Sequence, residues 1–320
     1  MEVGKERTMK KMKVLIPMLA LAVIVSTSSA WGISNITIFD GSWDPGHGDP
    51  WYVGEGVGYE NNDVEPYATT GQKWDLEAVL VNGADLILVG GWNFRGIEQP
   101  WAGTSFQSGD LFLALINEPA YGPAATTVTE SFVDAIDSSI INHNFGYNYV
   151  LDIDWGDPTA TSFNYDIYGL ADASIEVVNV YGGDPPPGMH TDANPYRYND
   201  GGEYIASGTL TWQHIPYGYA ATNLGLTYLE STYDRYMITF ENLFDVNGFL
   251  GDQWSVLGLD EGQTTTLWTH FTQECGNDNL MGKLENFRPI PEPFSMLMLG
   301  CLGTGMLGSR RLRKWRKAAR

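Results

Sequence analysis

The stretch "LDIDWGDPT", residues 151–159, puts three carboxylates close together at Asp152, Asp154 and Asp157. Alternate aspartates followed by a glycine-containing turn can offer oxygen ligands to a hard cation such as Ca²⁺. The match to a helix-flanked calcium loop is poor, with no Gly at the sixth place and no Glu at the twelfth. A solvated acidic turn is the competing reading. "FDGSWDPGHGDPW", with Asp40, Asp44 and Asp49, is a weaker instance of the same pattern. The second chemistry lies in eleven tryptophans. Trp43, Trp51, Trp92, Trp101 and Trp155 fall near turns, where binding residues concentrate. Their flat rings can stack on sugar rings while acid and amide side chains hydrogen-bond the hydroxyls. Trp74, Trp212, Trp254 and Trp268 fall in strand patterns and are expected in the core.

Catalytic signatures are missing from the sequence. There is no Gly-x-Ser-x-Gly elbow, no His-Glu-x-x-His and no phosphate loop. The five histidines are scattered singly. A glycosidase needs two carboxylates at a set separation, and 39 acids make any one pair uninformative. The expectation is a protein that is not an enzyme, with a polysaccharide-acting hydrolase as the competing class.

The elements that must position these residues are strands. Glycine is abundant, at 37, aromatics make up 13% of the chain, and no long stretch keeps a helical period. Two apolar runs, Leu76–Val81 and Leu86–Val89, flank Asn82-Gly83, a strong hairpin signal because both turn residues tolerate positive φ. Tyr147, Tyr149, Leu151 and Ile153 alternate with Asn148, Val150 and Asp152, the period of a strand with one buried face. Further strands are expected over 110–116, 163–168, 175–181, 204–212, 225–229, 236–240, 254–259 and 265–272. A dozen short strands with Gly/Asp/Asn/Pro-rich turns predict an all-β, antiparallel β-sandwich of jelly-roll type. Residues 129–140 read either as one short helix, with Thr129 as cap, or as a loop. Residues 181–202, with three successive prolines at 185–187, read as a long surface loop within one domain, a two-domain split there being the alternative.

Charge is segregated along the chain. Of 18 Lys+Arg, five precede Val14 and seven follow Gly308, which leaves six against 36 acids between Trp31 and Pro289. A region carrying −30 repels nucleic acid and anionic lipid. At the N-terminus, Lys10, Lys11 and Lys13 precede an apolar core, Val14 to Val25, and the small residues Ser28-Ser29-Ala30. This is the layout of a secretory signal peptide with cleavage after Ala30, and the core is too short to span a bilayer. Residues 31–289 are then the exported domain. Its one cysteine, Cys275, and Cys301 in the C-terminal apolar run do not make a disulfide framework.

The C-terminus carries Pro291-Glu292-Pro293, an apolar run from Phe294 to Gly308, and a basic end that includes Arg310, Arg311, Arg313 and Lys314. Fifteen helical residues cover about 22 Å, short of the roughly 30 Å hydrocarbon core. Insertion then needs local thinning or help from the flanks, and the basic cluster stays cytoplasmic. In this order and position, the three parts (290–320) resemble the PEP-CTERM sorting signal of Gram-negative bacterial surface proteins. The resemblance implies recognition by exosortase, a membrane transpeptidase, and a transient inner-membrane stay. Cleavage near the triplet then implies transfer to the cell surface or exopolysaccharide matrix. A second stretch, His270-x-Thr272-x-x-Cys275-Gly276-Asn277-Asp278, resembles the segment that closes many such exported domains. The implied role is structural or adhesive, among exopolysaccharide or other envelope components.

Overall fold

Gly83 sets the first hairpin. The computed structural model describes residues 33–38, 72–95, 106–119, 139–142, 145–179, 193–229, 233–260, 262–274 and 278–289. In it, β2 (Leu76–Asn82) and β3 (Asp85–Gly90) pair antiparallel with Asn82 opposite Asp85. The two-residue loop is therefore Gly83-Ala84, one place later than the Asn82-Gly83 expected. Gly83 has φ 60° while Ala84 keeps a negative φ, the pattern of a II′ turn.

Eleven more strands follow the same antiparallel logic. They are β1 (Ser34–Asn35), β4 (Leu111–Ala114), β5 (Ser139–Asn142), β6 (Tyr149–Ile153), β7 (Ser162–Gly169) and β8 (Ser174–Asn179). After them come β9 (Ala193–Asp200), β10 (Glu203–Ile215), β11 (Arg235–Phe240), β12 (Thr265–Thr272) and β13 (Asn279–Phe287). Ten of the thirteen form one sheet in the order β1-β2-β3-β11-β10-β7-β6-β4-β12-β13, and β5-β8-β9 form a second. The large sheet curls until its ends meet. Thr37, just past β1, bridges Gly282 of β13, with Ile38 N donating to Met281 O at 2.9 Å and Lys283 N to Ile36 O at 2.7 Å. Gly282 is required at that seam, because a Cβ there would lie 2.6 Å from Thr269 Oγ1 and 3.1 Å from Val79 Cγ1. The all-β expectation holds, and Ile33–Pro289 forms one compact unit.

Alternation sorts the core. Val79, Leu88, Ile238, Leu210, Phe163, Tyr165, Leu151, Leu113, Phe271 and Leu280 point into the curl. Outward residues of β4, β6 and β12, among them Phe112, Val150 and Trp268, are buried against Ile175 and Val177 of β8. Outward residues of β2 and β3, such as Leu80 and Ile87, lie under Leu224, Leu226 and Leu229. The curled sheet is thus covered on part of its outside as well. This corrects the one-sided reading of β6: Tyr149, Leu151 and Ile153 face the inner core, whereas Val150 and Tyr147 fill the outer one.

Other departures have local causes. Residues 254–259 were expected as a strand, but Phe249–Val256 is a helix that follows the shorter α1 (Tyr219–Asn223) and is labelled α2. Leu250 and Trp254 are its buried residues, and a single i, i+4 pair is too short a signal to betray a period. Residues 225–229 form turns, not a strand. The expected loop at 181–202 contains β9, whose Pro195 leaves its carbonyl to accept from the His270 ring at 3.2 Å. The helix or loop expected over 129–140 lies outside the described residues except for Ser139 and Ile140, which begin β5. Among the described residues no helix is long and apolar enough to cross a membrane.

Candidate functional site

Segment 107–110 is the knot on which a cleft is built. Gly109 N donates to Thr272 O on β12 at 2.9 Å, and Asp110 N donates to Tyr196 O on β9 at 2.8 Å. A Cβ on Gly109 would sit 2.5 Å from Tyr196 O and 2.8 Å from Thr272 O, so only glycine passes between these strands. The Asp110 carboxylate accepts from Ile153 N (2.9 Å) and Tyr198 N (2.8 Å), which ties β6 to β9. Burial pushes the Asp110 carboxyl up to about 8. The neighbouring Asp152 adds to this, while the two N–H donors and Arg197 pull it back.

Above this knot opens a cleft of about 790 Å³. Its acids are Asp152 and Asp154 from the end of β6 and Asp166 from β7, and its cations are Arg95 and Arg197. Gln107 and Asn164 add neutral polar groups, while Phe106, Trp155 and Tyr165 add aromatic wall. Asp152 and Asp166 stand directly opposite each other across β6 and β7. Half-burial raises the Asp152 carboxyl, Arg197 pulls it back, and Asp166 and Asp154 raise it again by like-charge repulsion.

Both arginines are held and both have donors left. Arg95 follows Phe94, a buried aromatic at φ 55°, an uncommon conformation for a bulky side chain. The guanidinium of Arg95 lies 3.5 Å from the centre of the Trp212 ring, and its Nη1 donates to Ala160 O at 3.1 Å. Arg197 Nη2 donates to Ser108 O at 3.0 Å. The Nε of each has no hydrogen-bond partner among the described residues. Those Nε atoms are buried, but a guanidinium carries five donors, so each arginine still has Nη hydrogens beyond its one carbonyl bond to offer an acceptor in the cleft. The arrangement offers charged acceptors and charged donors side by side, with ring edges between them, which is a surface suited to hydroxyl groups.

The residues singled out from sequence are divided by this geometry. Asp152, Asp154 and Trp155 line the cleft, and Asp157 does not. Asp157 is exposed and spends one oxygen on the Thr159 hydroxyl (2.7 Å) and N–H (2.8 Å), which hold its carboxyl below the usual range. Among the described residues no three His, Cys, Asp or Glu side chains converge where one metal ion could sit. Trp155 is 8% exposed, donates to Gly109 O at 3.1 Å, and packs on Phe163. It therefore presents an edge to the cleft. Trp92 is fully buried, stacked on Trp74, with its N–H on Ser108 Oγ at 2.7 Å. Gly90 and Gly91 let the backbone press onto residues 72–75 and draw that ring inside, so its place beside a turn did not mean exposure. Trp74, Trp254 and Trp268 are core residues as expected, and Trp212 is half-buried beneath Arg95.

Trp43, Trp51, Trp101, Cys275, Pro291, Glu292, Pro293, Arg310, Arg311, Arg313 and Lys314 lie outside the described residues. Of the His270–Asp278 stretch, the described members are structural. His270 is buried between Phe112 and Tyr147, and burial lowers its ring pKa to about 3. Thr272 Oγ1 donates to Asp278 O at 2.7 Å, and the Asp278 carboxylate accepts from Leu76 N, pinning the last hairpin to β2. Arg95, Arg197, Asn164 and Asp166 were missed by sequence reasoning. A signal did exist, since two of only six basic residues between Trp31 and Pro289 meet at one cleft. No protein-family model matches the chain, and no curated protein or solved structure matches it either.

Proposed function

We propose that the chain is an exported surface protein whose 33–289 unit binds polysaccharide in a structural or adhesive role. The carrying observation is the cleft, where Arg95 and Arg197 stand among Asp152, Asp154, Asp166 and Asn164 with aromatic wall beside them. Sugar hydroxyls donate to carboxylates and accept from guanidinium groups, and charge-assisted bonds of this kind are the strong ones. The unit is read as a sandwich-like scaffold, with opposed walls of the curled sheet stacked across the inner core. Delivery is read from the termini: the signal at 1–30, and the tail at 290–320 as a substrate for exosortase.

A panel of purified bacterial and plant polysaccharides tests the reading, with binding and reducing-end release measured on the same samples. Binding without release supports an adhesive or structural module. Release that is lost in Asp152→Asn or Asp166→Asn would instead make the chain a polysaccharide hydrolase. Failure to bind any polysaccharide would end both readings.

A further inference from the structure

Two strands that supply the cleft also lead out of it. Outward-facing residues of β7 run Asn164, Asp166, Tyr168, and the first two line the cleft. On β9, Arg197 lines the cleft and Tyr198 follows it. Tyr198 stacks on Tyr168 with ring centres 4.3 Å apart and planes 14° from parallel. Tyr204 of β10 stands opposite Tyr168 and meets it edge to face at 5.9 Å. It is 55% exposed. Resting on the polysaccharide reading above, we infer that the cleft continues onto this tyrosine platform and that the two form one track for a linear, uncharged polysaccharide.

The platform is built in advance. Gly202 N donates to Tyr198 Oη at 3.0 Å, which fixes that ring. A Cβ on Gly202 would lie 3.1 Å from both Tyr168 Cβ and the Tyr198 ring, so glycine lets the stack close. The Asp110 carboxylate holds Tyr198 by its backbone N–H and so links the knot under the cleft to the platform. From Asn164 to Tyr168, four strand steps cover about 13 Å. A single sugar ring cannot reach from one end to the other, and a short chain can.

Charge selects the polymer. Two arginines face three aspartates in the cleft, inside a region that carries thirty more acids than bases. A uronate-bearing or sulfated chain would meet net repulsion at every approach. An uncharged chain meets acceptors and donors for its hydroxyls, then apolar ring faces.

Full-length protein is titrated with the disaccharide and hexasaccharide of cellulose, laminarin and linear mannan, with polygalacturonate as the charged comparison. The hexasaccharide of one neutral series is expected to bind more tightly than its disaccharide. Tyr204→Ala should weaken the hexasaccharide by up to about tenfold, the worth of one aromatic stack, and leave the disaccharide unchanged. Tyr204→Phe should keep both affinities. Arg197→Gln should weaken both ligands. If Arg197→Gln weakens binding and Tyr204→Ala does not, the platform is wrong and the cleft reading stands. Tighter binding of polygalacturonate than of every neutral series overturns the uncharged polymer. No binding by any of these probes overturns the track together with the reading beneath it.

Discussion

Arg235 and Glu77 form an ion pair with almost no water around it. Arg235 is 2% exposed and Glu77 is fully buried at the bulge in β2, and the guanidinium Nε donates to the carboxylate. Gln72 Nε2 adds a second bond to Glu77 at 2.8 Å. Burial pushes the Glu77 carboxyl up, and Arg235, Gln72 and Asp75 bring it part of the way back. Arg235→Met keeps much of the apolar stem but leaves a buried carboxylate without its cation. Removing one partner of such a pair costs about 3–5 kcal/mol, a large share of a typical domain stability of about 5–15 kcal/mol. In the variant the folded-state pKa of Glu77 rises further above its unfolded value. The stability it contributes is then fully present below the unfolded pKa and is lost as pH rises through the folded one, so the deficit should grow from pH 5 to pH 8. The double variant Glu77→Gln/Arg235→Met has no charge to strand and should recover most of the loss. Urea unfolding of the wild type and both variants, as full chains, at both pH values gives the deficit of each variant at each pH. A deficit in Arg235→Met below about 1 kcal/mol, or one equally large in the double variant, would refute the reasoning.

At the seam, Gly282→Ala should cost about 1–3 kcal/mol by overpacking, because the new methyl meets Thr269, Val79 and Ile36; an unchanged melting temperature would show that the two ends do not close there. Asp110 is raised to about 8 from an unfolded value near 4, so its contribution is present at low pH and is lost as pH rises through about 8. Asp110→Asn should therefore flatten the fall in melting temperature between pH 5 and pH 8, and parallel curves would count against it. Millimolar Ca²⁺ is expected to leave the melting temperature where it is, since Asp157 does not line the cleft with Asp152 and Asp154 and spends an oxygen on Thr159; a rise that disappears in Asp154→Asn would place a cation there. Glu292→Ala or Pro293→Ala should leave full-length protein in the inner membrane, while the wild type loses its basic tail and moves outward. One tag within 31–289 and one after Arg320 report this, and wild-type protein that keeps both tags in the membrane would reduce the tail to a plain anchor.

Local pattern carried much of the fold. The strand expected over 163–168 is β7, and the two apolar runs around Asn82-Gly83 are β2 and β3. Such signals work because a strand's period shows within a few residues. β9 was hidden by Pro195 and by the three prolines at 185–187 before it, and β13 by Lys283, Glu285 and Asn286, whose exposed edge breaks the apolar run. Of the site, Asp152, Asp154 and Trp155 were legible as one acidic turn. The rest was not, because Arg95, Gln107, Asp166 and Arg197 are brought together by strand neighbours far apart in sequence. The burial of Glu77 and Asp110 was not legible either, since nothing local tells a buried carboxylate from a solvated one. Only a partner more than a hundred residues away, or a ring of backbone N–H groups, makes the difference.

The meeting of the 36–38 segment with β13 also sets a schedule for folding. Thr37 needs Gly282, Leu76 N needs the Asp278 carboxylate 202 residues on, and Trp74 O needs Gln273 from 199 residues on. These are among the longest loops the unit can close, and loop closure must come before the contact rewards it. A chain emerging from its N-terminus can build β2–β3 and β6–β7 early, as neighbouring hairpins. It cannot close the curl until its last hairpin has been made. Until then the first strand remains an open edge, with unpaired backbone groups that could template another chain. The residues that relieve it, Asp278 to Lys283, are among the last of the unit to be synthesised.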